Sequence, residues 1–239
     1  MFNRPGAAIG LAISHDLTIV SLNWRKKIIG KTYAALTENV LQQGEILDIK
    51  QFSQLLPNTE KLKYLALAID DDWLQQQSFP LHTSNKQAIH YLVKQKRAPG
   101  NLYDYHITNN QCTIWQLTNS IFKSYQKLAK SLNLTIQLIE PLSYAQSRIF
   151  KKTFSKPYAI YLQSENSKMN IIKNGKVIFS HPVINHNIDH AIGLYEKLHN
   201  EKISELISNQ ACKCKLRLTI ENISLDPRYL AAYSTAKRI

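Results

Sequence analysis

Cysteine, glycine and long apolar runs are all scarce in this sequence of 239 residues. The three cysteines, Cys112, Cys212 and Cys214, are too few for a disulfide framework, which favours a reducing compartment. Cys212 and Cys214 form a C-x-C without the second pair of ligands that a tetrahedral zinc site needs. The seven glycines never lie side by side, and the sequence contains no Walker loop, no G-x-G-x-x-G and no G-x-S-x-G. No apolar run reaches the roughly 18 residues that a membrane span requires.

Acidic side chains are also few, with 17 Asp and Glu against 30 Lys and Arg, and the formal net charge is +13. The basic residues are scattered, and Arg25-Lys26-Lys27 is one of only a few short clusters. A DNA-binding protein usually concentrates positive charge on one helix or groove. Scattered lysines fit attraction to anionic lipid headgroups equally well. A basic nucleic-acid-binding protein therefore stays open as an alternative, although no nucleic-acid partner is expected.

The first part of the chain predicts strands followed by a helix. Arg4 and the apolar run after it have some features of a signal peptide, but His15 and Asp16 end the run early and favour a buried strand. Asp48 is placed to cap a helix whose apolar residues follow at helical spacing. The uniformly apolar 64–69 segment is typical of a central parallel strand. The first strands are predicted at 8–14, 17–24 and 28–36.

The middle of the chain predicts a small unit of different character. Strands are expected at 75–81, 103–108 and 112–117, around a helix at 85–96. A strongly amphipathic helix follows at 120–132, then a strand at 136–139 and a helix at 140–149.

A basic, proline-containing link at 151–157 is the predicted boundary between two halves. Beyond it the strand pattern of the opening segment returns, with an Asn-Gly hairpin turn at 174–175. The segment 158–207 therefore duplicates the segment 8–56. The predicted elements of this half are strands at 158–162, 169–173, 177–182 and 216–220, and helices at 188–207 and 227–238.

Four short segments resemble the PilM family of type IV pilus assembly proteins, and especially its short, divergent HofM-type members. The 9–13 run IGLAI lies where the family carries GIDIG, and the 44–48 run GEILD resembles the family's opening of a helix. The 139–145 run IEPLSYA resembles the link between the family's halves, and 229–238 resembles its closing helix.

This resemblance implies an α/β fold of the actin-like, ribonuclease H-like class, built from duplicated sheet-and-helix units that face each other across a cleft. Residues 1–150 would form the first half, with an inserted α+β subdomain at about 71–135. Residues 151–239 would form a second, shortened half.

The resemblance also implies a function. PilM proteins lie in the cytoplasm, peripheral at the inner membrane, and bind the cytoplasmic N-terminal tail of the membrane protein PilN. The chain is therefore expected to be a non-catalytic adaptor of type IV pilus assembly, or of related competence or type II secretion machinery. Pilus motor components are further possible partners. The groove is expected near the 28–36, 64–70 and 77–83 strands, with Trp73 and Phe79 as candidate partner-binding residues, although large apolar side chains are more often core.

An actin-like ATPase needs two hairpins that cradle phosphates and carboxylates that hold Mg²⁺. Where the family carries Asp and Gly in its first hairpin, this sequence has Ala12 and Ser14. In the second hairpin it has Leu162 and Ser164. No cofactor, no catalytic residue and no enzymatic activity are therefore expected. An ATP-binding protein with substitute phosphate loops stays an alternative, and the acids nearest to those loops are Asp16 and Glu165.

Two further polar groups require interpretation. Asp70-Asp71-Asp72 follows a buried strand, where active-site carboxylates of α/β folds often lie, but a solvated run that caps the next element is the preferred interpretation. His186 and His190 have the i, i+4 spacing of metal ligands on a helix. They lack the adjacent Glu of an H-E-x-x-H motif, so no metal site is expected.

Overall fold

The computed structural model describes residues 7–108, 110–149, 156–161, 168–173, 176–183, 187–208 and 229–239. The strands in these residues are β1 (Ala8–Ile13), β2 (Asp16–Leu22), β3 (Ile28–Ala35), β4 (Leu41–Gln42), β5 (Glu45–Ile46), β6 (Tyr64–Ile69), β7 (Gln75–Pro80), β8 (Leu102–Thr108), β9 (Gln111–Leu117), β10 (Thr135–Pro141), β11 (Tyr158–Tyr161), β12 (Lys168–Lys173), β13 (Lys176–Pro182) and β14 (Glu205–Ser208). The helices are α1 (Ile49–Gln54), α2 (Lys86–Lys96), α3 (Asn119–Ser131), α4 (Leu142–Ile149), α5 (Ile188–His199) and α6 (Leu230–Arg238).

The first sheet has five strands in the order β10-β6-β1-β2-β3. The meander β1-β2-β3 is antiparallel, whereas β6 joins β1 in parallel and β10 joins β6 in parallel. Every residue of β1 is buried, as is all of β6 except its first residue. Their near-continuous apolar sequences follow from burial on two faces.

The second sheet repeats this order in four strands, β13-β12-β11-β14. Its meander β11-β12-β13 is antiparallel, and β14 joins β11 in parallel, as β6 joins β1. The predicted duplication of a sheet unit is therefore confirmed.

One expectation in this half is wrong. The helix predicted to run to about Ile207 ends at His199, because Asn200 adopts a left-handed conformation with φ of 48°. The segment Glu205–Ser208 is instead strand β14, and Leu206 lies in the core of the second sheet.

A third sheet of three strands, β7-β9-β8, packs with α2 around a small core of its own. The amphipathic helix α3 does not belong to this core. Its apolar residues lie in the core of the first sheet, with α1 and the inner faces of β1, β2 and β6. The insertion proposed at about 71–135 thus contains both the small sheet and a helix that packs on the first sheet.

Helices α4 and α6 lie between the first and second sheets. Their small side chains share one core with Ala12 and Val20 of the first sheet and with Tyr158 and Ile160 of the second. Helix α6 approaches β1 so closely at Gly10 that a Cβ there would overlap the carbonyl oxygen of Ala232. The two halves are therefore joined through packed helices.

Candidate functional site

The acidic run at the end of β6 lies at the junction between the two halves. Asp70 Oδ1 accepts a hydrogen bond from the Asp72 amide at 3.0 Å and caps the single 3-10 turn Asp71–Trp73, as the capping interpretation predicts. Asp71 and Asp72 contact residues of other elements. Asp71 Oδ1 accepts from the Ser143 amide of α4 at 3.2 Å, and Asp72 forms an ion pair with Lys168 of β12.

Asp71 departs from the expected solvated run because its carboxylate is bonded to α4, whereas Asp72 is 59% exposed, as expected, and pairs with Lys168 at the surface. Their partners lie on an interface helix and on the second sheet, so the run connects elements from both halves. A further buried contact between the same two elements, Asn170 Nδ2 to Gln146 Oε1 at 3.1 Å, also joins β12 to α4. Asp72 therefore adds one exposed ion pair between the first and second sheets, beside the buried contact of Asn170 with Gln146.

Burial raises the pKa of the Asp71 carboxyl to about 6, because desolvation penalises its charged form more than the hydrogen bonds from Ser143 favour it. A raised pKa means that the folded state binds the proton more tightly than the unfolded state. The contribution of the protonated Asp71 carboxyl to the free energy of unfolding is therefore fully present below pH 3.8. It is lost as the pH rises through about 6.

We expect Asp71→Asn to be more stable than the wild type by about 3 kcal/mol at about pH 8, with the difference disappearing near about pH 4. The asparagine keeps an oxygen that can accept from Ser143 but carries no charge to desolvate. Urea unfolding across this pH range measures the effect, and the exposed Asp104→Asn controls for the change in net charge. A difference that stays constant with pH would contradict the raised pKa.

The resemblance places the first phosphate hairpin of an actin-like ATPase at the turn between β1 and β2. Ala12 is buried in the interface core, and its side chain packs there beside α6. The Ser14 hydroxyl is used within the turn, where it accepts from the Asp16 amide at 3.4 Å. Asp16 is the first residue of β2 and pairs with Ala35. Leu162, Ser164 and Glu165 of the second hairpin lie outside the described residues.

A groove of about 650 Å³ runs beside β10, the edge strand of the first sheet. One wall is α3 and the other is β10 itself, and Leu102 of β8 closes the groove on the side of the small sheet. The lining is mixed, with apolar side chains beside amides and one lysine. It consists of Leu102, Phe122, Gln126, Ala129, Lys130, Asn133, Leu134, Thr135, Ile136, Gln137, Leu138 and Ile139.

The outer edge of β10 can supply backbone hydrogen-bonding groups to this groove. Strand β10 pairs with β6 on one side, and no other strand in the described part of the chain pairs with it. A strand of this kind presents backbone N–H and C=O groups to an incoming extended chain. Its register with β6 shifts between Ile136 and Leu138, so Gln137 forms a bulge at the groove.

This groove lies away from the 28–36 strand, near which the resemblance places a peptide groove, and the place where a peptide binds stays a prediction. The strand β3 lies at the edge of the sheet opposite β10, and β1 and β2 separate it from β6, so the three expected strands do not meet. The residues that line the observed groove come mainly from the end of the amphipathic helix α3 and from the edge strand β10 that follows it. Edge position cannot be read from one strand's own residues.

Neither Trp73 nor Phe79 lines the groove. Phe79 is only 8% exposed and packs in the core of the small sheet. Trp73 is partly buried against the core of the first sheet, where its ring packs on the backbone of Gly44 and its centre lies 6.2 Å from that of the His15 ring. A role of either residue in partner binding stays a prediction.

The remaining polar candidates do not gather into a metal site in the described part of the chain, where no group of three or more His, Cys, Asp or Glu side chains has suitable geometry. His190 lies exposed on α5, and His186 falls outside the described residues. Cys212 and Cys214 also fall outside them, whereas Cys112 is a buried core residue of β9. Across the residues that the structure covers, no helix has the length and apolar character of a membrane span.

Two sheets of the same strand order, joined through helices and carrying an inserted small sheet, define an actin-like fold. Three solved structures share it. A chain of a PilM-PilN type IV pilus biogenesis complex matches with a TM-score of 0.60 and 10% identity, over 81% of this chain and 66% of that one. The second is the cytoplasmic domain of EpsL, an inner membrane component of the type II secretion system of Vibrio cholerae. It matches with a TM-score of 0.57 and 9% identity, over 90% of this chain and 86% of that one.

The third structure is a Bacteroides thetaiotaomicron protein with an actin-like ATPase fold and unknown function. It matches with a TM-score of 0.56 and 10% identity, over 90% of this chain and 87% of that one. This chain spans just under two thirds of the length of the pilus protein chain that it matches. No protein-family model and no curated protein matches the sequence.

Proposed function

We propose that this chain is a non-catalytic adaptor of type IV pilus assembly, or of related competence or type II secretion machinery. It would bind the cytoplasmic N-terminal tail of a PilN-type membrane protein while lying in the cytoplasm, peripheral at the inner membrane. The single observation that carries the proposal is the groove of about 650 Å³ along the free edge of β10. The likeness in fold to a chain of a PilM-PilN complex and to the EpsL cytoplasmic domain supports it.

The shape of the groove suits a short extended peptide. An added strand can form backbone hydrogen bonds with β10, and alternate side chains of the peptide then point toward α3. Phe122 and Ile139 offer apolar surface there, and Gln126 and Lys130 offer polar contacts at the rim. A tail with alternating apolar residues would therefore be recognised by both its backbone and its side chains.

The polar side chains near the expected phosphate site are engaged in contacts within the protein. Asp71 and Asp72 are bound to Ser143 and Lys168, and the Ser14 hydroxyl is bound within its own turn. Ala12 brings a buried methyl group where the resemblance expects a carboxylate. These side chains are engaged in contacts within the protein, which favours the adaptor over the ATP-binding alternative.

The test is a titration of the purified chain against a labelled tail peptide of the PilN-type protein encoded in the same genome. Fluorescence anisotropy at physiological salt should show saturable binding of this peptide and none of a scrambled peptide of equal charge. Phe122→Ala should weaken binding about tenfold or more, because it removes a large apolar contact from the groove. The matched control is Tyr91→Ala, which removes a 63% exposed ring from α2.

Equal binding of both peptides, or unchanged affinity of Phe122→Ala with an intact fold, would contradict the proposed site. A rise in melting temperature with MgATP would instead support the ATP-binding alternative, since a ligand of the folded state raises its stability. Binding of motor components can be tested in the same assay.

A further inference from the structure

The hairpin between β2 and β3 exposes several large apolar side chains. Trp24 in the turn is 55% exposed, and Ile28 and Ile29 at the start of β3 are 42% and 57% exposed. Tyr33, further along β3, is 42% exposed. We call Trp24, Ile28, Ile29 and Tyr33, together with the basic residues Arg25, Lys27 and Lys31, the hairpin patch. It lies at the edge of the sheet opposite the peptide groove.

The local backbone holds these side chains outward. In the register between β2 and β3, Leu22 pairs with Ile28 and Ser21 pairs with Gly30, so Ile29 is an extra residue in a bulge. The bulge places two isoleucines in succession at the exposed edge. Because β3 is an edge strand, no neighbouring strand within the described ranges covers them.

The turn is preorganised by its own hydrogen bonds. Asn23 Oδ1 accepts from the backbone amides of Arg25 and Lys27 at 2.9 and 3.0 Å. Lys26 adopts a left-handed conformation with φ of 61°, and its amide donates to the Asn23 carbonyl at 2.9 Å. The positions of Trp24 and Arg25 are thereby fixed before any partner arrives.

The charge of the hairpin has one sign. The segment 17–37 contains Arg25, Lys26, Lys27 and Lys31 and no Asp or Glu. Arg25 carries its guanidinium carbon 4.5 Å from the centre of the Trp24 ring. Positive charge and exposed apolar side chains therefore occupy the same few residues, although the charge of the whole chain is scattered.

We propose that the hairpin patch binds the surface of an anionic lipid bilayer. Trp24, Ile28 and Ile29 would enter the headgroup boundary, where tryptophan is favoured and burial of apolar area drives binding. Arg25, Lys27 and Lys31 would contact anionic headgroups, and each such charge near the surface contributes about a fivefold gain in partition. The inference rests on the proposed membrane-side location and does not involve the peptide groove.

A lipid surface explains the whole patch better than the other partners do. Duplex DNA would use the lysines for phosphate contacts but would leave two exposed isoleucines without a role. Addition of a protein strand to β3 would use its backbone edge but does not require a cluster of positive charge. Duplex DNA is a named outcome of the test.

The experiment is sedimentation of the full chain with vesicles of phosphatidylcholine alone or with a quarter of phosphatidylglycerol. Wild-type protein should bind the anionic vesicles, and binding should weaken with salt. Arg25→Glu with Lys27→Glu should lower the partition at least about 25-fold. Trp24→Ser with Ile29→Ser should lower it about tenfold, since it removes apolar area without changing charge.

The matched control is Lys50→Glu with Lys86→Glu, which changes the net charge equally at exposed positions in the first turns of α1 and α2. This control should retain binding within a few fold. Equal losses in the control and the hairpin variants would overturn the proposal, because binding would then depend only on total charge. Absent vesicle binding with patch-dependent binding of duplex DNA would overturn it in favour of nucleic acid.

Tail-peptide binding, measured on the same hairpin variants, separates the two proposals. Variants that lose vesicles but keep the peptide support both sites. A wild-type chain that binds the peptide but no vesicle would overturn the hairpin patch alone, and the reverse result would overturn the groove alone.

Discussion

Replacing Gly10 with valine is expected to lower the free energy of unfolding by about 3 kcal/mol. A Cβ at this position would overlap the carbonyl oxygen of Ala232 and lie 2.8 Å from the Ala236 Cβ and 2.9 Å from its amide nitrogen. Two of these three atoms belong to the backbone of α6 and cannot rotate away, so the helix must shift from β1. Urea denaturation followed by circular dichroism measures the loss.

Two other glycines provide controls for the change of residue type. Gly30→Ala introduces a Cβ that meets only the Ser21 side chain at 3.9 Å or more, and it should change stability little. Gly193 lies in the middle of α5 with nothing within 4 Å of a new Cβ, so Gly193→Ala should stabilise by about 1 kcal/mol. A Gly10→Val protein as stable as the wild type would contradict the close packing of α6.

Replacing Glu140 with alanine is expected to cost about 3 kcal/mol, because it removes the buried anchor of α6 at the end of β10. Glu140 is 6% exposed and binds Thr235 at 2.8 Å through one oxygen and Arg238 at 3.2 Å through the other. The substitution leaves a cavity and removes the acceptor of the buried Thr235 hydroxyl. Urea denaturation again measures the change.

The matched variant is Arg238→Gln, which breaks the same ion pair from its 56% exposed end. It should cost less than about 1 kcal/mol, because solvent screens an exposed charge. A double-mutant cycle of Glu140→Ala with Arg238→Gln then isolates the coupling between the two side chains. Equal costs for the two single variants would contradict the assignment of the main stabilisation to the buried hydrogen bond between Thr235 and Glu140.

The elements that sequence predicts well are those with a local cause. The strand 64–69 agrees with β6 because six apolar residues stand between polar ends. The helix predicted after Asp48 begins there because its carboxylate accepts from the Gln51 amide at 2.9 Å. Asn85 caps α2 in the same way. Caps and apolar periodicity act over a few residues and can therefore be read from one chain.

The features that sequence misses depend on distant partners. The segment 205–208 has helical apolar spacing, but its place beside β11 makes it a strand. Asp71 resembles a solvated residue in the sequence, and only the approach of the Ser143 amide from α4 shows otherwise. The groove exists because β10 ends the sheet order, which no local pattern specifies.

The contact between α6 and β1 also determines when the fold can be completed during synthesis. Gly10 emerges from the ribosome long before Ala232, because most of the described chain separates the two residues. Until then the apolar face of β1 and β2 around Ala12, Val20 and Leu22 lacks its covering helix. The nascent first half therefore exposes this apolar face until the nine residues of α6 have been made, and a transiently exposed apolar face of this kind is prone to aggregation.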